Sequence, residues 1–285
     1  MYSRYSIAMK RKRIIKIIFL LGLLISLFLF WRQIAKNKFL EVSFLDVGQG
    51  DASLIEFPDG KNILIDGGPD NLILNRLGEE LPPYRRKINF IIISHFHDDH
   101  VAGLLAALER YKVEKIIFAA GVENFLLGEL LLAEAKRQKI ELIAVEIEAS
   151  LELAGGCQIF FINPLSLGVC ENENNSLITK LTCADYDFLF SGDNEKEVED
   201  ILLTSGYDLS ADVFKASHHG SKTSNQEDFL RVINPKLIAV PVGADNRFNH
   251  PSPEFLEIAS FLQINVIRTD LLGTVSLRIN LANIK

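Results

Sequence analysis

The six histidines of this 285-residue chain fall into three short clusters and nowhere else. His95, His97 and His100 lie in Ser94-His-Phe-His-Asp-Asp-His100, His218 and His219 in Ser217-His-His-Gly-Ser221, and His250 in Asn249-His-Pro251. Histidine is the commonest metal-ligating side chain and the usual proton shuttle near neutral pH. Such economy points to one metal-dependent site assembled from distant segments of the chain.

The pattern between the clusters predicts how. Short β-rich runs occur at 41–46, 53–57 and 62–66, separated by Gly and Asp-Gly turns, and a further buried strand at 89–93 ends at the first cluster. Helices are expected at 101–111, 123–138, 195–205, 226–233 and 253–262. Strands are expected at 115–118, 141–145, 158–162, 177–183, 188–190, 212–216, 237–241, 265–267 and 274–279. Asp66, the Ser94–His100 segment, Asp193 and the His218–His219 pair each follow an apolar run. If those strands lie side by side, their ends form one rim, where α/β folds gather their sites.

The residue types on that rim suit metal chemistry. His95 and His97 alternate along an extended turn and can face one point, while Asp99 and His100 open the following helix. Two neighbouring ligand groups suit two divalent ions about 3.5–4 Å apart. Asp98 reads as a solvated or helix-capping residue. Asp193, in Ser191-Gly-Asp193, can bridge two cations. Adjacent side chains diverge, so one of His218 and His219 is expected to bind metal and the other to face substrate. Lys215, Ser221 and Thr223 are expected to add phosphate contacts, with Asn246 nearby. His250 is expected to act as a general acid or an oxyanion donor.

The first forty residues are different. They carry nine basic residues and no acidic one, leaving 21 basic against 37 acidic residues and a formal charge of −16 on 41–285. Residues 14–31 are apolar except for Lys16 and Ser26. Eighteen helical residues span about 27 Å, close to the roughly 30 Å of bilayer hydrocarbon. The expected organisation is a basic cytoplasmic tail (1–13), a transmembrane anchor (14–31), a linker (32–39) and an extracytoplasmic domain (40–285). The alternative is a signal peptide and a secreted domain. The three cysteines, Cys157, Cys170 and Cys183, read as small core residues, with Cys157–Cys170 as the bridge if the domain is exported.

Asp46-Val-Gly-Gln-Gly-Asp51, Leu64-Ile-Asp-Gly-Gly68, the Ser94–His100 motif, Ser191-Gly-Asp193, Lys215-Ala-Ser-His-His-Gly-Ser221 and Asn249-His-Pro251 occur in this order. Together they resemble the metallo-β-lactamase-fold hydrolases of the ComEC/Rec2 type, over roughly residues 40–280. The resemblance implies an α/β (α+β) four-layer αββα sandwich with two divalent ions, Zn or Mn, between the sheets. His95 and His97 would bind the first ion. Asp99 and His100 would bind the second, Asp193 would bridge, and His218 or His219 would complete the second site. Asp66 would support the ligand loop. The broader superfamily has a further histidine between the first cluster and the bridging Asp; here the corresponding stretch is Glu173-Asn-Asn-Ser176, with Asn175 as an amide alternative.

The implied activity is phosphodiester hydrolysis, with Asp99, His219 and His250 as catalytic groups and DNA as the implied substrate. An acidic domain repels polyanions, and no run of aromatic residues suggests a stacking platform. A small or cell-surface phosphodiester is therefore the alternative substrate. A non-catalytic metal- or DNA-binding partner of a separate DNA-uptake channel is the alternative role. One membrane span excludes the channel itself.

Overall fold

The computed structural model describes residues 2–36, 39–120, 126–168 and 175–281, with the side chains of the first helix described over 11–28. That helix, α1, runs unbroken from Tyr2 to Lys36. Twelve large apolar side chains from Ile14 to Phe28 are 49–74% exposed, on every face of the helix. Among the described residues no helix is long and apolar enough to cross a membrane. Arg11, Lys12, Arg13 and Lys16 occupy one end of the described stretch, and the side chains of 29–31 lie outside it. The transmembrane span expected over 14–31 is thus not met among the described residues.

Residues 39–281 form two seven-stranded sheets. The first half supplies β1 (Phe39–Phe44), β2 (Ser53–Glu56), β3 (Asn62–Ile65), α2 (Leu72–Glu80), β4 (Lys87–Ile93), α3 (Asp98–Arg110), β5 (Lys112–Ala119), α4 (Leu126–Arg137) and β6 (Glu141–Val145). The second half supplies β7 (Glu148–Leu153), β8 (Cys157–Ile162), β9 (Ile178–Cys183), β10 (Tyr186–Phe190), α5 (Lys196–Ser205), β11 (Val213–Lys215), α6 (Glu227–Ile233), β12 (Leu237–Val240), α7 (Pro253–Phe261), β13 (Asn265–Arg268) and α8 (Thr269–Leu272). The last strand, β14 (Val275–Asn280), returns to the first sheet, whose order is β14-β1-β2-β3-β4-β5-β6. The second sheet runs β13-β12-β11-β10-β9-β8-β7.

Strand alternation sorts the side chains into two cores. Phe188, Phe190 and Val213 face inward and join Phe44, Ile92 and Leu104 in the larger core. Their neighbours Leu189 and Phe214 face outward, under Leu202, Phe229 and Phe255 of α5, α6 and α7. Phe44 meets Phe190 across the two sheets, with ring centroids 6.2 Å apart. Helices α2, α3 and α4 contribute Leu77, Leu104 and Leu131 to the core on the first sheet's side. The result is the expected α/β arrangement of two sheets with helices.

Three elements were not expected: α2, β7 and the single turn α8. Helix α2 follows a Pro-Asp-Asn turn and buries only Ile73 and Leu77, a short apolar stripe that sequence periodicity barely registers. Strand β7 is the sheet edge and alternates exposed Glu or Ser with half-buried Ala or Leu. Cys157 and Cys183 lie in the core as expected, but their pairing differs from the expected one. Cys157 and Cys183 face each other in register on β8 and β9 and are joined as a disulfide, Cα atoms 4.1 Å apart. The expected partner, Cys170, lies outside the described residues.

Candidate metal centre

Strands β3 and β4 are parallel, as are β10, β11 and β12, so their C-terminal ends converge on one rim. Each carries a polar turn. Asp66, immediately after β3, adopts a left-handed φ of 57° and turns its carboxylate under the β4–α3 turn. It accepts hydrogen bonds from the Ser94 amide (2.8 Å) and the Ser94 hydroxyl (2.7 Å). Its Oδ2 lies 2.9 Å from His100 Nδ1. That contact leaves His100 Nε2 aimed at Asp193, 3.3 Å from Oδ2.

Glycines allow these turns to approach. Gly103 of α3 packs on the Gly67-Gly68 loop, where a Cβ would lie 2.0 Å from the Gly67 carbonyl oxygen. Gly192, with φ of 56°, sets Asp193 after β10; a Cβ there would lie 2.3 Å from Ser176 Cβ.

The His218-His219 pair is resolved by its backbone. Both residues adopt left-handed φ, 48° and 53°, which sends the two rings in different directions. His219 is buried; its Nε2 lies 3.3 Å from Asp99 Oδ2 and 3.7 Å from Asp193 Oδ2. Its Nδ1 lies 3.0 Å from the Pro241 carbonyl oxygen and 3.1 Å from Asp51 Oδ1. His218 sits at the rim, 3.3 Å from Glu195 and 3.9 Å from Asp193 Oδ2.

Four ligand atoms, from Asp99, His100, Asp193 and His219, lie within 4.8 Å of one another. His95 and His97 border this group: the His95 ring centroid is 4.2 Å from that of His100 and 4.6 Å from that of His97. His95 Nδ1 is 3.1 Å from the Ser94 hydroxyl and 3.2 Å from that of Ser176. Its Nε2 is buried without a hydrogen-bond partner, and so are His100 Nε2 and Asp193 Oδ1. Buried polar atoms are nearly always satisfied, so orphaned imidazole nitrogens facing a carboxylate fit a divalent cation.

The electrostatics agree. Burial alone would raise the Asp193 carboxyl, but the His100 and His219 charges outweigh it and hold the pKa well below the usual range. Asp99 is lowered in the same way, against burial, by the His219 hydrogen bond and His100. Burial would depress His219, yet Asp193 and Asp51 push it up to about 10. Protons on imidazole thus take the place that a cation would fill, and cation binding would release them. His95 is pushed well down by burial and by the His100 charge, which keeps it a neutral ligand.

Several expected substrate contacts are elsewhere. Lys215 is buried: its Nζ pairs with Asp51, donates to the Gly192 carbonyl (2.9 Å) and lies 3.6 Å from Asp193 Oδ1. It is an internal cation beneath the carboxylates and does not face substrate. Ser221 is also buried, its hydroxyl 2.9 Å from that of Thr223, which itself donates to Glu195. Asn246 spends its amide on the Gly243 and His250 carbonyls and its oxygen on the His250 amide. Asn175 is buried beside Ser176, and it is Ser176 whose hydroxyl reaches His95 and the Asp193 amide (2.9 Å). Arg85 and Lys87 are paired with Glu56 and Glu114.

His250 stands at the opening, ring centroids 5.4 Å from His218 and 6.2 Å from His219. Burial and the charges of His219 and His218 lower its pKa to about 4. It is therefore neutral near pH 7, and a hydrogen-bond donor role suits it better than that of a general acid.

Sequence reasoning missed Asp51 and Glu199. Asp51, after β1, accepts from Lys215 and orients His219; its signal was its place in the Gly-rich Asp46–Asp51 turn. Glu199 of α5 is fully buried and accepts the Asn225 and Gln226 amides at 2.6 and 2.9 Å. Asn225 in turn clamps the Ser217 backbone through both its amide groups, fixing the turn that carries His219. A lone Glu on a helix carries no such signal.

Residues 45–240 match the profile of the Metallo-beta-lactamase superfamily. The chain is 27% identical over 255 residues to ComE operon protein 3 of Bacillus subtilis (strain 168), covering 84% of this chain and 33% of that protein. It is 23% identical over 246 residues to Competence protein ComA of Neisseria gonorrhoeae, covering 86% and 33%. It thus spans about a third of the length of these curated relatives. The solved metallo-beta-lactamase fold protein YhfI from Bacillus subtilis superposes with a TM-score of 0.60 at 11% identity, over 85% of this chain and 100% of that one.

Proposed function

The chain belongs to the metallo-beta-lactamase superfamily, whose fold here supports a metal-dependent hydrolase, and on that premise we propose that it cleaves phosphodiester bonds of DNA outside the cytoplasmic membrane. The observation that carries the proposal is the convergence of Asp99, His100, Asp193 and His219 within 4.8 Å, beside the unpartnered Nε2 of His95. His95, His97, Asp99, His100, Asp193 and His219 would hold the two divalent ions, Zn or Mn. Bound there, such ions polarise a phosphoryl oxygen and lower the pKa of water.

The chain's own groups do the rest. Asp99, held ionised by His219, orients the attacking oxygen from its place at the start of α3. Asp51 and Asp66 fix the two ring planes of His219 and His100, as carboxylates behind metal-binding histidines do. His250 donates one N–H towards the phosphate or the leaving oxygen. DNA as substrate is supported by the similarity to proteins named for the ComE operon and for competence. A separate DNA-uptake channel is the partner this reading supplies.

Membrane attachment belongs to the same proposal. Apolar side chains exposed on every face of α1 need a covering medium, and a lipid bilayer suits a helix with a basic N-terminal flank. The 285-residue chain should float with lipid vesicles, and residues 40–285 alone should not; equal behaviour of the two would remove the anchor.

The catalytic reading is tested on one sample. Chelation should abolish hydrolysis of single-stranded and duplex DNA, and added Mn²⁺ or Zn²⁺ should restore it. Undiminished turnover after exhaustive chelation would overturn it.

A further inference from the structure

The loop after β12 carries Asn246-Arg-Phe-Asn-His250. Asn246 locks it, donating to the Gly243 and His250 carbonyls at 2.9 and 2.7 Å and accepting from the His250 amide at 2.9 Å. The locked loop turns Phe248 outward, 53% exposed. Its ring stacks on His250, with centroids 5.8 Å apart and planes 27° apart. The Arg247 guanidinium lies 5.1 Å from the Phe248 ring centroid. Rings therefore run continuously from solvent to the cluster: Phe248, His250, then His219 at 6.2 Å from His250.

We propose that Phe248, backed by His250 and flanked by Arg247, is a stacking platform that selects an unpaired nucleobase beside the scissile phosphodiester. The proposal rests on the phosphodiesterase reading above. Every base offers a π-face to an aromatic ring, so such a contact tolerates any sequence. Bases in a duplex are already stacked on their neighbours, so the platform favours single strands. An exposed cation–π contact is weak; an incoming base displaces Arg247, which then reaches the flanking phosphate. Stacking also does not depend on net charge. It is the kind of contact left to a domain whose formal charge of −16 repels a polyanion at long range. Sequence reading found no platform because a single Phe among polar residues has no pattern. The stack exists only once Asn246 folds the loop back on His250.

Two readouts test it on the 285-residue chain. The Phe248→Trp variant should lose indole fluorescence on titration with a single-stranded oligothymidylate, and far less with an abasic strand of equal length. Base–aromatic stacking predicts a preference for the oligothymidylate over the abasic strand in kcat/KM of roughly ten- to a hundred-fold. Phe248→Ala should bring that ratio towards one, and Phe248→Tyr should keep it. Equal quenching by the two strands, or an unchanged ratio in Phe248→Ala, would overturn the platform. If no phosphodiester is cleaved by the wild type, the catalytic reading fails, and the fluorescence titration alone decides the platform.

Discussion

Asp66 Oδ2 lies 2.9 Å from His100 Nδ1, and this one contact decides which nitrogen of His100 faces the cluster. Burial raises the Asp66 carboxyl pKa despite the His100 charge, so the pair behaves as a tightly held hydrogen-bonded unit below the site. Asp66→Asn keeps the shape but can present its amide N–H to the ring, favouring the wrong tautomer. Metal affinity should fall about 10- to 100-fold, as for other groups behind metal-binding histidines. Isothermal titration with Zn²⁺ or Mn²⁺ measures this; unchanged affinity would remove Asp66 from the account.

Lys215 makes a different prediction. Its ammonium compensates Asp51 and Asp193 inside the protein. Lys215→Met leaves buried carboxylates uncompensated, which costs about 3–5 kcal/mol when one partner of a buried pair is lost. A bound divalent ion restores part of the missing charge. The drop in Tm should therefore be larger in chelator than with metal present. Equal drops in both would show that Lys215 does not share its charge with the site.

Glu199 gives a pH dependence away from the cluster. Burial outweighs the Gln226 and Asn225 amides and raises its pKa from 4.5 to about 7. As pH rises, the unfolded chain loses this proton first. Stability should fall between about pH 4.5 and 7 and level off above, by on the order of 3 kcal/mol. Glu199→Gln should abolish that segment of the curve in urea unfolding from pH 4 to 8. A variant with the wild-type pH profile would contradict the assignment.

Much of this was legible in residue order. The Ser94–His100 segment, Asp193 and the His218–His219 pair each ended an apolar run, and strand ends are where such sheets place their sites. Less legible was the direction of each side chain. Lys215 reads as a phosphate contact because β11 ends there, yet strand alternation points it between the sheets to Asp51. The choice between His218 and His219 depends on two consecutive left-handed residues, which composition does not reveal. Cys183 became the partner of Cys157 through the register of β8 and β9, a non-local pairing hidden from spacing along the chain.

The most direct test of the metal centre is elemental analysis of the purified protein with three single variants. Asp193→Ala and His219→Ala should each lose bound metal while remaining folded by circular dichroism, because both side chains lie within the convergent group. His218→Ala should retain it, because that ring sits at the rim beside Glu195. Equal metal content in all three would contradict the assignment.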